Sequence, residues 1–325
     1  MRDIPYRIAM QEALAEEMAR DEKVFVVGED VQAGTFGVTS TLVQRFGPAR
    51  VIDTPLSETA VAGTALGAAM AGYRPVADFM FADFIYIAGN EVLVNAAKWR
   101  FAHGGKVSLP LVFLAAMGGG ARNGPEHSMS PESLIMHTPG LKLAVPSTPY
   151  DAKGLLKSAI RDNNPVVFFY HKRLLGLRGD VPEEEYTVPF GVADVKREGT
   201  DVTVVATALQ VQHALRVADE VKDRVSVEVI DPRTLEPLDI DSIVRSVEKT
   251  GRLVVADEDT ERCGVGAEII TQVIERAFDS LDAPPKRVCA ANLPIPGGFI
   301  EASVLPQPAS ILAAIEAVTG RTLKA

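Results

Sequence analysis

The sequence predicts an α/β protein of two domains, each a mostly parallel sheet with helices on both faces. Strands that are apolar along their whole length alternate with helices, which is typical of a covered parallel sheet. The chain has 325 residues, of which 47% are hydrophobic, and this is enough for two cores. A polar, proline-bearing segment separates two such series at residues 173–191. We therefore predict a first domain over residues 1–175, a linker over 176–192 and a second domain over 193–325.

The first series begins with a helix and continues as alternating strands and helices. Pro5 suits the first turn of that helix. The apolar runs predict six strands, at residues 23–30, 50–58, 74–81, 110–120, 141–147 and 165–172. Ser57 is a candidate N-cap for a helix that continues to Gly72, and one long helix is expected over residues 82–105.

The second series has the same alternation in fewer residues. Strands are predicted at residues 201–207, 225–231, 252–258 and 286–292. Helices are predicted at residues 208–223, 239–251, 264–281 and 306–320. This pattern predicts a smaller α/β domain with a core of its own.

Charge and cysteine content argue against several function classes. The net charge of −10 and the pI of about 5.1 argue against unassisted binding to nucleic acid or to an anionic membrane, because both need a basic face. Cys263 and Cys289 are not in a C-x-x-C pair, so neither a zinc site nor a redox motif is indicated. The N-terminus is typical of a helix start and not of a signal peptide, and no apolar run is typical of a membrane span. A reduced cytoplasmic chain is the simplest interpretation.

Polar and aromatic residues follow the ends of the first four strands. Glu29 follows the first strand, Glu58 the second, Phe84 the third, and a glycine-rich loop with His127 the fourth. Open parallel sheets bind ligands at the carboxyl ends of their strands, so these side chains are expected to converge on one crevice. Each also has an ordinary structural explanation, as a helix-dipole acid, a core ring or a solvated loop imidazole. The residues alone therefore indicate an α/β ligand-binding protein or an enzyme.

The glycine-rich stretches do not form a nucleotide-binding fingerprint. GGGARNG at residues 118–124 matches neither G-x-G-x-x-G nor the P-loop pattern, and GVGAEI after Cys263 lacks a third glycine at the required place. A dinucleotide site is therefore not predicted.

Three long stretches carry a family resemblance that covers essentially the whole chain. VIDTPLSETAVAGTALGAAMAGYRPVADFMFADF, GLKLAVPSTPYDAKGLLKSAIRDNNPVVFF and EVIDPRTLEPLDIDSI resemble the beta subunits of thiamine-diphosphate-dependent 2-oxo acid dehydrogenases. This transketolase-like family includes pyruvate, branched-chain 2-oxo acid and acetoin dehydrogenase beta subunits. The resemblance implies a pyrimidine-binding domain followed by a transketolase C-terminal domain. VPEEEYTVPFGVADVKREGTDVT and SLDAPPKRV are most similar to the acetoin type, and FADF and SPES are similar to the branched-chain type.

The resemblance also implies a role for each candidate residue. Glu58 is similar to the acid that hydrogen-bonds N1′ of the thiamine aminopyrimidine, where a carboxylate favours the imino tautomer that takes the proton from C2. Phe84 matches the residue whose ring packs on the aminopyrimidine, and Glu29 resembles an acid in a turn near the cofactor. His127 matches the histidine that assists proton transfer or reductive acylation of a lipoyl group. Some relatives hold a potassium ion at the positions that correspond to the backbone carbonyls of Leu111, Ala159, Asp162 and Asn164.

The partners implied by the resemblance follow from a segment that this chain lacks. The family holds Mg²⁺ and the cofactor diphosphate with a GDG…N segment, and no such segment is present. A separate alpha subunit is expected to carry that segment, hold Mg²⁺ and share thiamine diphosphate in a heterotetramer of two alpha and two beta subunits. The acyl group would pass to lipoyl-lysine of an acyltransferase core, to which the second domain is expected to dock. No nucleic-acid or membrane partner is expected.

Three positions depart from the family pattern and leave the substrate open. Leu114 stands where many relatives have Arg, Asn90 begins what is commonly a DQ pair, and Glu126 replaces the first Gln of QHSQ. Pyruvate therefore remains an alternative substrate. A non-catalytic assembly subunit of the same fold is an alternative of another class, although intact Glu58 and His127 oppose it. The length and the missing GDG…N segment oppose a single-chain transketolase.

Overall fold

The computed structural model describes residues 1–323, and the chain divides into two compact units. Unit 1 comprises Met1–Met117 and Leu134–Phe190, and unit 2 comprises Gly118–Ser133 and the residues from Gly191 onward. The segment Gly118–Ser133 therefore belongs to unit 2, although it lies between two strands of the first series in the sequence. The domain limits at residues 175 and 192 stay predictions.

The region from Met1 to Phe190 contains eight strands and six helices. The strands are β1 (Arg2–Pro5), β2 (Val24–Gly28), β3 (Val51–Asp53), β4 (Arg74–Phe81), β5 (Leu111–Met117), β6 (Lys142–Ala144), β7 (Pro165–His171) and β8 (Arg178–Val181). The helices are α1 (Tyr6–Arg20), α2 (Leu42–Phe46), α3 (Glu58–Met70), α4 (Ala97–Ala102), α5 (Glu132–Met136) and α6 (Pro149–Arg161).

Six of these strands form a parallel sheet in unit 1, in the order β6-β7-β5-β4-β2-β3. Every residue of β5 and β7 is buried, as expected for central strands that are covered on both faces. All six strands of the first predicted series are present, and the predicted α/β class is confirmed. Residues 178–181, which we expected in the linker, instead form β8, which pairs antiparallel with β1.

The segment expected to be one long helix, residues 82–105, is divided into three pieces. A 3₁₀ turn covers Ala82–Tyr86, a π-helical segment covers Asn90–Ala96, and α4 follows. Gly89 lies just before the π-helical segment. Apart from proline, glycine is the residue that least favours a continuous helix. Phe84 consequently lies on a tight turn directly after β4.

An ion-pair ladder joins α1 to α6 in unit 1. Its acids are Glu12, Glu16 and Glu17 on α1, and its bases are Lys153, Lys157 and Arg161 on α6. The Lys153 and Lys157 side chains are 1% and 0% exposed, so each ammonium needs partners to offset its lost hydration. Glu16 bonds both lysines, at 2.6 Å and 2.7 Å, and Glu185 also bonds Lys157.

Unit 2 contains a mixed five-stranded sheet. Its strands are β9 (Asp194–Arg197), β10 (Val202–Ala206), β11 (Val227–Asp231), β13 (Leu253–Thr260) and β14 (Lys286–Ala290), and the short strand β12 (Thr234–Glu236) is not part of it. The helices are α7 (Leu209–Val221), α8 (Ile240–Thr250), α9 (Val265–Ala277) and α10 (Pro308–Thr319). The order is β14-β13-β10-β11-β9, and only β9, an edge strand, is antiparallel to its neighbour.

One stretch of the described chain, Gly298–Thr319, is long and apolar enough to cross a membrane by length and composition, with 22 residues and a mean hydropathy of 1.3. A single stretch of this kind is weak evidence, because the core helix of a soluble protein meets the same criterion. Its second half is α10, whose Ile311 and Ile315 are fully buried in the core of unit 2.

Candidate active site

Glu29, Glu58 and Phe84 lie at the carboxyl edge of three adjacent strands in unit 1. Glu29 directly follows β2, Glu58 begins α3 after β3, and Phe84 lies in the turn after β4. Because β2 is hydrogen-bonded to both β3 and β4, these three positions are neighbours along one edge of the sheet. This is the edge at which open parallel sheets bind ligands.

Glu58 is the first residue of α3 and is half-buried. The positive end of the helix dipole favours a carboxylate in this first turn. Ser57 occupies the N-cap position as expected, but its side chain makes no capping hydrogen bond. Within residues 1–323, the Glu58 carboxylate makes neither a hydrogen bond nor an ion pair, so its oxygens are available to a ligand.

A hydrogen bond connects the helix of Glu58 to the turn of Phe84. Thr59 Oγ1 donates to the carbonyl oxygen of Ile87 at 3.0 Å. Ile87 in turn donates its N–H to the carbonyl oxygen of Phe84 at 3.0 Å. The Phe84 ring is half-buried and meets the Phe81 ring edge to face, with 5.8 Å between centroids. The Thr59 side chain therefore links the first turn of the helix that carries Glu58 to the turn that carries Phe84.

Glu29 has an electrostatic environment that favours its protonated form. Burial, and then the negative charges of Asp30 and Glu58, raise the pKa of Glu29 above its ordinary value. Glu29 and Glu58 are thus close enough to influence one another. Gly28, the last residue of β2, sets the approach to β4, because a Cβ there would collide with the carbonyl oxygen of Asp78.

Asp78 is a buried acid on β4 that the sequence analysis did not single out. Its side chain accepts a hydrogen bond of 2.9 Å from the Met80 N–H. Burial nevertheless raises its pKa to about 6. The available signal was an acid in the middle of the apolar run RPVADFMF. Asp78, Glu29 and Thr39 line the same small cavity of about 10 Å³.

His127 belongs to unit 2, whereas Glu29, Glu58 and Phe84 belong to unit 1. The imidazole is half-buried, and its backbone N–H donates to the carbonyl oxygen of Gly124 at 3.3 Å. Of the positions that depart from the family pattern, Glu126 and Asn90 are exposed, and Leu114 is fully buried in β5.

A second group of acids, which the sequence analysis missed, lies in the interior of unit 2. Asp257, Glu258 and Asp259 occupy the end of β13, where the register with β14 shifts between Ala256 and Thr260. Glu132 is fully buried and interacts electrostatically with all three. The sequence signal was the run VVADEDT, in which three acids end an apolar strand.

The carbonyl groups expected to hold potassium lie near the C-terminal end of α6. Leu111 pairs with Pro165 at the start of β5, and the Ala159 carbonyl oxygen accepts the Asp162 N–H at 3.3 Å. The Asp162 carbonyl oxygen accepts a hydrogen bond of 2.9 Å from the Arg74 guanidinium. The negative end of the helix dipole suits a cation, and Arg74 already places one there.

No group of three or more His, Cys, Asp or Glu side chains within residues 1–323 is arranged to hold a metal ion. Both cysteines, Cys263 and Cys289, are free thiols.

Comparison with known proteins also divides the chain into two parts, although it places residues 118–133 in the first part. The transketolase pyrimidine-binding domain matches residues 2–178, and the transketolase C-terminal domain matches residues 191–311. A solved structure of a split-gene transketolase, described as an inactive beta4 tetramer, superimposes with a TM-score of 0.81 and covers 100% of both chains. At 22% identity, that likeness shows the fold alone.

Curated relatives from Bacillus subtilis (strain 168) are more similar in sequence. The beta subunit of acetoin:2,6-dichlorophenolindophenol oxidoreductase is 44% identical and covers 94% of each chain. The 2-oxoisovalerate dehydrogenase beta subunit is 46% identical over 89% of this chain and 90% of the relative. The beta subunit of the pyruvate dehydrogenase E1 component is 44% identical over 94% of this chain and 95% of the relative. The chain therefore belongs to the transketolase-like family formed by the beta subunits of acetoin, branched-chain 2-oxo acid and pyruvate dehydrogenases.

Proposed function

We propose that this chain supplies the aminopyrimidine-facing half of a thiamine-diphosphate site, and that it does so as a beta subunit in an acetoin or branched-chain 2-oxo acid dehydrogenase complex. The observation that carries the proposal is the Glu58 carboxylate. It begins α3 at the ligand-binding edge of the sheet, and within residues 1–323 it has no hydrogen-bonding or ion-pair partner. Thiamine diphosphate supplies, when bound, the electron sink for cleavage next to a carbonyl carbon.

The residues on this edge of unit 1 fit the aminopyrimidine ring. Glu58 would accept a hydrogen bond from N1′, and its place in the first turn of α3 suits a negatively charged group. The half-buried ring of Phe84 would pack against the pyrimidine face. Burial, followed by the charges of Asp30 and Glu58, raises the pKa of Glu29, so this acid can hold a proton close to the ring.

The remaining parts of the site come from partners in this proposal. An alpha subunit with a GDG…N segment holds Mg²⁺ and the diphosphate, and two alpha and two beta subunits assemble in the cytoplasm. His127 assists proton transfer or acyl transfer to lipoyl-lysine on an acyltransferase core. The complex is an oxidoreductase with a disulfide acceptor, and this chain is inactive alone.

We also propose that potassium binds near the end of α6, at the carbonyls of Leu111, Ala159, Asp162 and Asn164. The helix dipole and the loop carbonyls suit a monovalent cation, and Arg74 occupies part of the set. KCl should raise the thermal unfolding midpoint of the chain above that in choline chloride at equal ionic strength. Equal midpoints in the two salts would contradict a potassium site.

The experiment that tests the main proposal uses the chain reconstituted with an alpha subunit that carries a GDG…N segment. Glu58→Gln should lower turnover by about a hundredfold or more, because a general acid–base contribution is lost. It should also weaken thiamine-diphosphate binding, measured by calorimetry. Glu184→Gln is the matched control, since Glu184 is exposed in unit 1, and it should behave as the wild type. If Glu58→Gln retains both turnover and cofactor binding, the chain is a non-catalytic assembly subunit.

The substrate is settled by the same reconstituted complex. Acetoin, 3-methyl-2-oxobutanoate and pyruvate are supplied in turn, with 2,6-dichlorophenolindophenol or a lipoyl domain as acceptor. The proposal expects the highest kcat/KM with acetoin or with 3-methyl-2-oxobutanoate. Preference for pyruvate would replace it with the pyruvate dehydrogenase alternative.

A further inference from the structure

The segment Gly118–Ser133, which we call the histidine loop because it carries His127, is fastened to unit 2 by carboxylates. At one end, the Gly119 N–H donates to Glu258 Oε2 at 3.1 Å. At the other end, the Ser133 N–H donates to Asp259 Oδ2 at 3.1 Å. Between them, the Arg122 N–H bonds both carboxylate oxygens of Glu301, at 3.0 Å and 3.2 Å. Adjacent acids on β13 therefore hold both ends of the loop.

Glu132, near the end of the histidine loop, lies in an environment that destabilises the ionised form of its carboxyl group. The residue is 0% exposed, and neither of its carboxylate oxygens has a hydrogen-bond partner. The charged groups that act on it are Asp259, Asp257 and Glu258, all of them acids. Burial, followed by these charges, raises the pKa of Glu132 well above its ordinary value.

The other elements around the acids supply few compensating charges. On α9, the Gly266 N–H donates to Asp257 Oδ2 at 3.2 Å, and on β14 the Cys289 thiol lies 3.6 Å from the same oxygen. Arg287, also on β14, is paired with Glu261. Burial and the neighbouring Asp259 raise the pKa of Asp257 to about 8.

On the α7 side, Glu258 meets the amide of Gln210, which in turn contacts the imidazole of His213. Gln210 Nε2 donates to Glu258 Oε1 at 3.0 Å, and Gln210 Oε1 lies 3.2 Å from His213 Nδ1. Both carboxylate oxygens of Glu258 therefore accept hydrogen bonds from neutral donors, Gln210 and Gly119. Neither oxygen of Glu132 has such a donor in hydrogen-bonding geometry, and its own backbone N–H offsets only part of the rise in its pKa.

A buried carboxyl group among like charges must either bind a cation or keep its proton. A bound metal ion would need several of these side chains to converge, and no group of three within residues 1–323 is arranged to hold one. A proton needs no such convergence, so the arrangement favours a neutral Glu132.

We propose that a proton on Glu132 keeps the histidine loop docked on β13, and that loss of this proton releases the loop. Release moves Glu132 into water, where the carboxyl group ionises and gives its proton to solvent. Opening is therefore coupled to one proton, and the opening constant should rise about tenfold per pH unit until the pH reaches the pKa of docked Glu132. The link to catalysis rests on the proposed function, since only that proposal gives His127 a role in turnover.

Hydrogen exchange at the two fastened amides tests the proposal in the full chain. The exchange rates of the Gly119 and Ser133 amides are measured from pH 6 to pH 9 and corrected for intrinsic base catalysis. In the wild type, the corrected rates should rise about tenfold per pH unit. In Glu132→Gln they should be flat, because the amide cannot ionise. Glu248→Gln, at an exposed site of unit 2, is the matched control and should follow the wild type.

Infrared spectroscopy supplies a second readout. Because Asp257 also holds a proton at neutral pH, the C=O stretch of protonated Glu132 is identified as the band that the wild type shows and Glu132→Gln lacks, and this band should vanish as the loop opens. If Glu132→Gln is unstable, Asp257→Asn removes an acid that becomes negatively charged as the pH passes about 8, and it should move the plateau of the exchange profile to lower pH. Flat wild-type exchange without an acid band would overturn the proposal. Faster exchange on adding EDTA at constant pH would also overturn it, in favour of a bound cation.

Turnover of the reconstituted complex tests the catalytic role of His127 separately from the proton-coupled opening of the loop. If opening of the loop and loss of kcat follow the same pH profile in the wild type, and both profiles shift in Glu132→Gln, then both ideas are supported. If the loop opens as the pH rises while turnover is unaffected, the proton-coupled opening of the loop is supported and the role proposed for His127 is contradicted.

Discussion

Thr59 Oγ1 and the carbonyl oxygen of Ile87, 3.0 Å apart, join the first turn of α3 to the turn after β4. Thr59 follows Glu58 in the chain, and Ile87 lies three residues after Phe84. The bond therefore ties the start of the helix that carries Glu58 to the turn that carries Phe84.

Removal of this bond should loosen the aminopyrimidine site. Thr59→Val keeps the shape of the side chain but loses the donor, and it should lower the free energy of unfolding by about 0.5–1.5 kcal/mol. Thiamine-diphosphate affinity of the reconstituted complex should fall as well. Thr59→Ser keeps the hydroxyl and should restore both quantities. Equal cofactor affinity in Thr59→Val and wild type would show that the bond does not position Glu58 or Phe84.

The α1–α6 ion-pair ladder should respond unequally to loss of its members. Lys157→Met removes a buried charge and leaves Glu16 and Glu185, which are 38% and 60% exposed and can be hydrated. We expect a loss of less than about 1 kcal/mol in the free energy of unfolding. Glu16→Ala instead takes one partner from each of two buried lysines, and it should cost about 2 kcal/mol.

Urea unfolding of the two single variants and of the double variant measures this difference. In the double variant, Lys157 has been replaced, so the loss of Glu16 takes a partner from Lys153 alone. The loss of unfolding free energy should therefore be smaller than the sum of the two single losses. A larger loss in Lys157→Met than in Glu16→Ala would contradict the burial argument.

Asp78 should make the stability of unit 1 depend on pH. Its pKa is about 6 in the folded chain and 3.8 without burial, so the folded state binds the extra proton between these values. The free energy of unfolding should therefore fall as the pH rises from about 4 to about 7, by about 3 kcal/mol for this group. Asp78→Asn keeps the Oδ1 acceptor for the Met80 N–H but cannot ionise.

The contribution of Asp78 is isolated by subtraction. Urea unfolding of the wild type and of Asp78→Asn at several pH values gives the difference in unfolding free energy, from which the other titrating groups cancel. As the pH rises, the unfolding free energy of the wild type should fall relative to that of Asp78→Asn. A constant difference would show that Asp78 is hydrated in the folded chain.

The two cysteines should differ in reactivity. Cys263 is exposed, whereas burial, followed by the charge of Asp257, raises the pKa of the Cys289 thiol far above its ordinary value. Since the thiolate is the nucleophile, iodoacetamide at pH 8 should alkylate Cys263 at least about tenfold faster than Cys289. Mass spectrometry of the peptides measures both rates, and unfolding in urea should make them equal. Equal rates in the folded chain would contradict the buried environment of Cys289.

The strands of the two sheets could be predicted because burial on both faces leaves a continuous apolar run, as in β5 and β7. β8 was missed because its residues, RGDV, are mostly polar, and each pairs with a residue of β1 that lies 173 to 179 positions away in the sequence. The break after Phe84 was missed since no proline marks it. For these elements, the decisive interactions are not local in sequence.

In the candidate site, too, some features could be predicted from the local sequence and others could not. The positions of Glu29, Glu58 and Phe84 follow from strand ends, but their roles came from the family resemblance and stay predictions. The hydrogen bonds that hold the histidine loop could not be predicted from the sequence, because Ser133 and Asp259, for example, are 126 residues apart. Glu132 carried no local signal either, since a glutamate at the start of a short helix is commonly hydrated.

Gly28 shows how this site limits the evolution of the chain. Any side chain at this position would push β2 away from the backbone of β4 at Asp78. Glu29 is the next residue, so the displacement would move a carboxylate without changing it. In a deep mutational scan, position 28 should therefore tolerate no substitution, alanine included, and it would score like an active-site residue although it contributes no chemical group. A divergent relative that replaces this glycine has therefore had to reorganise the whole strand edge.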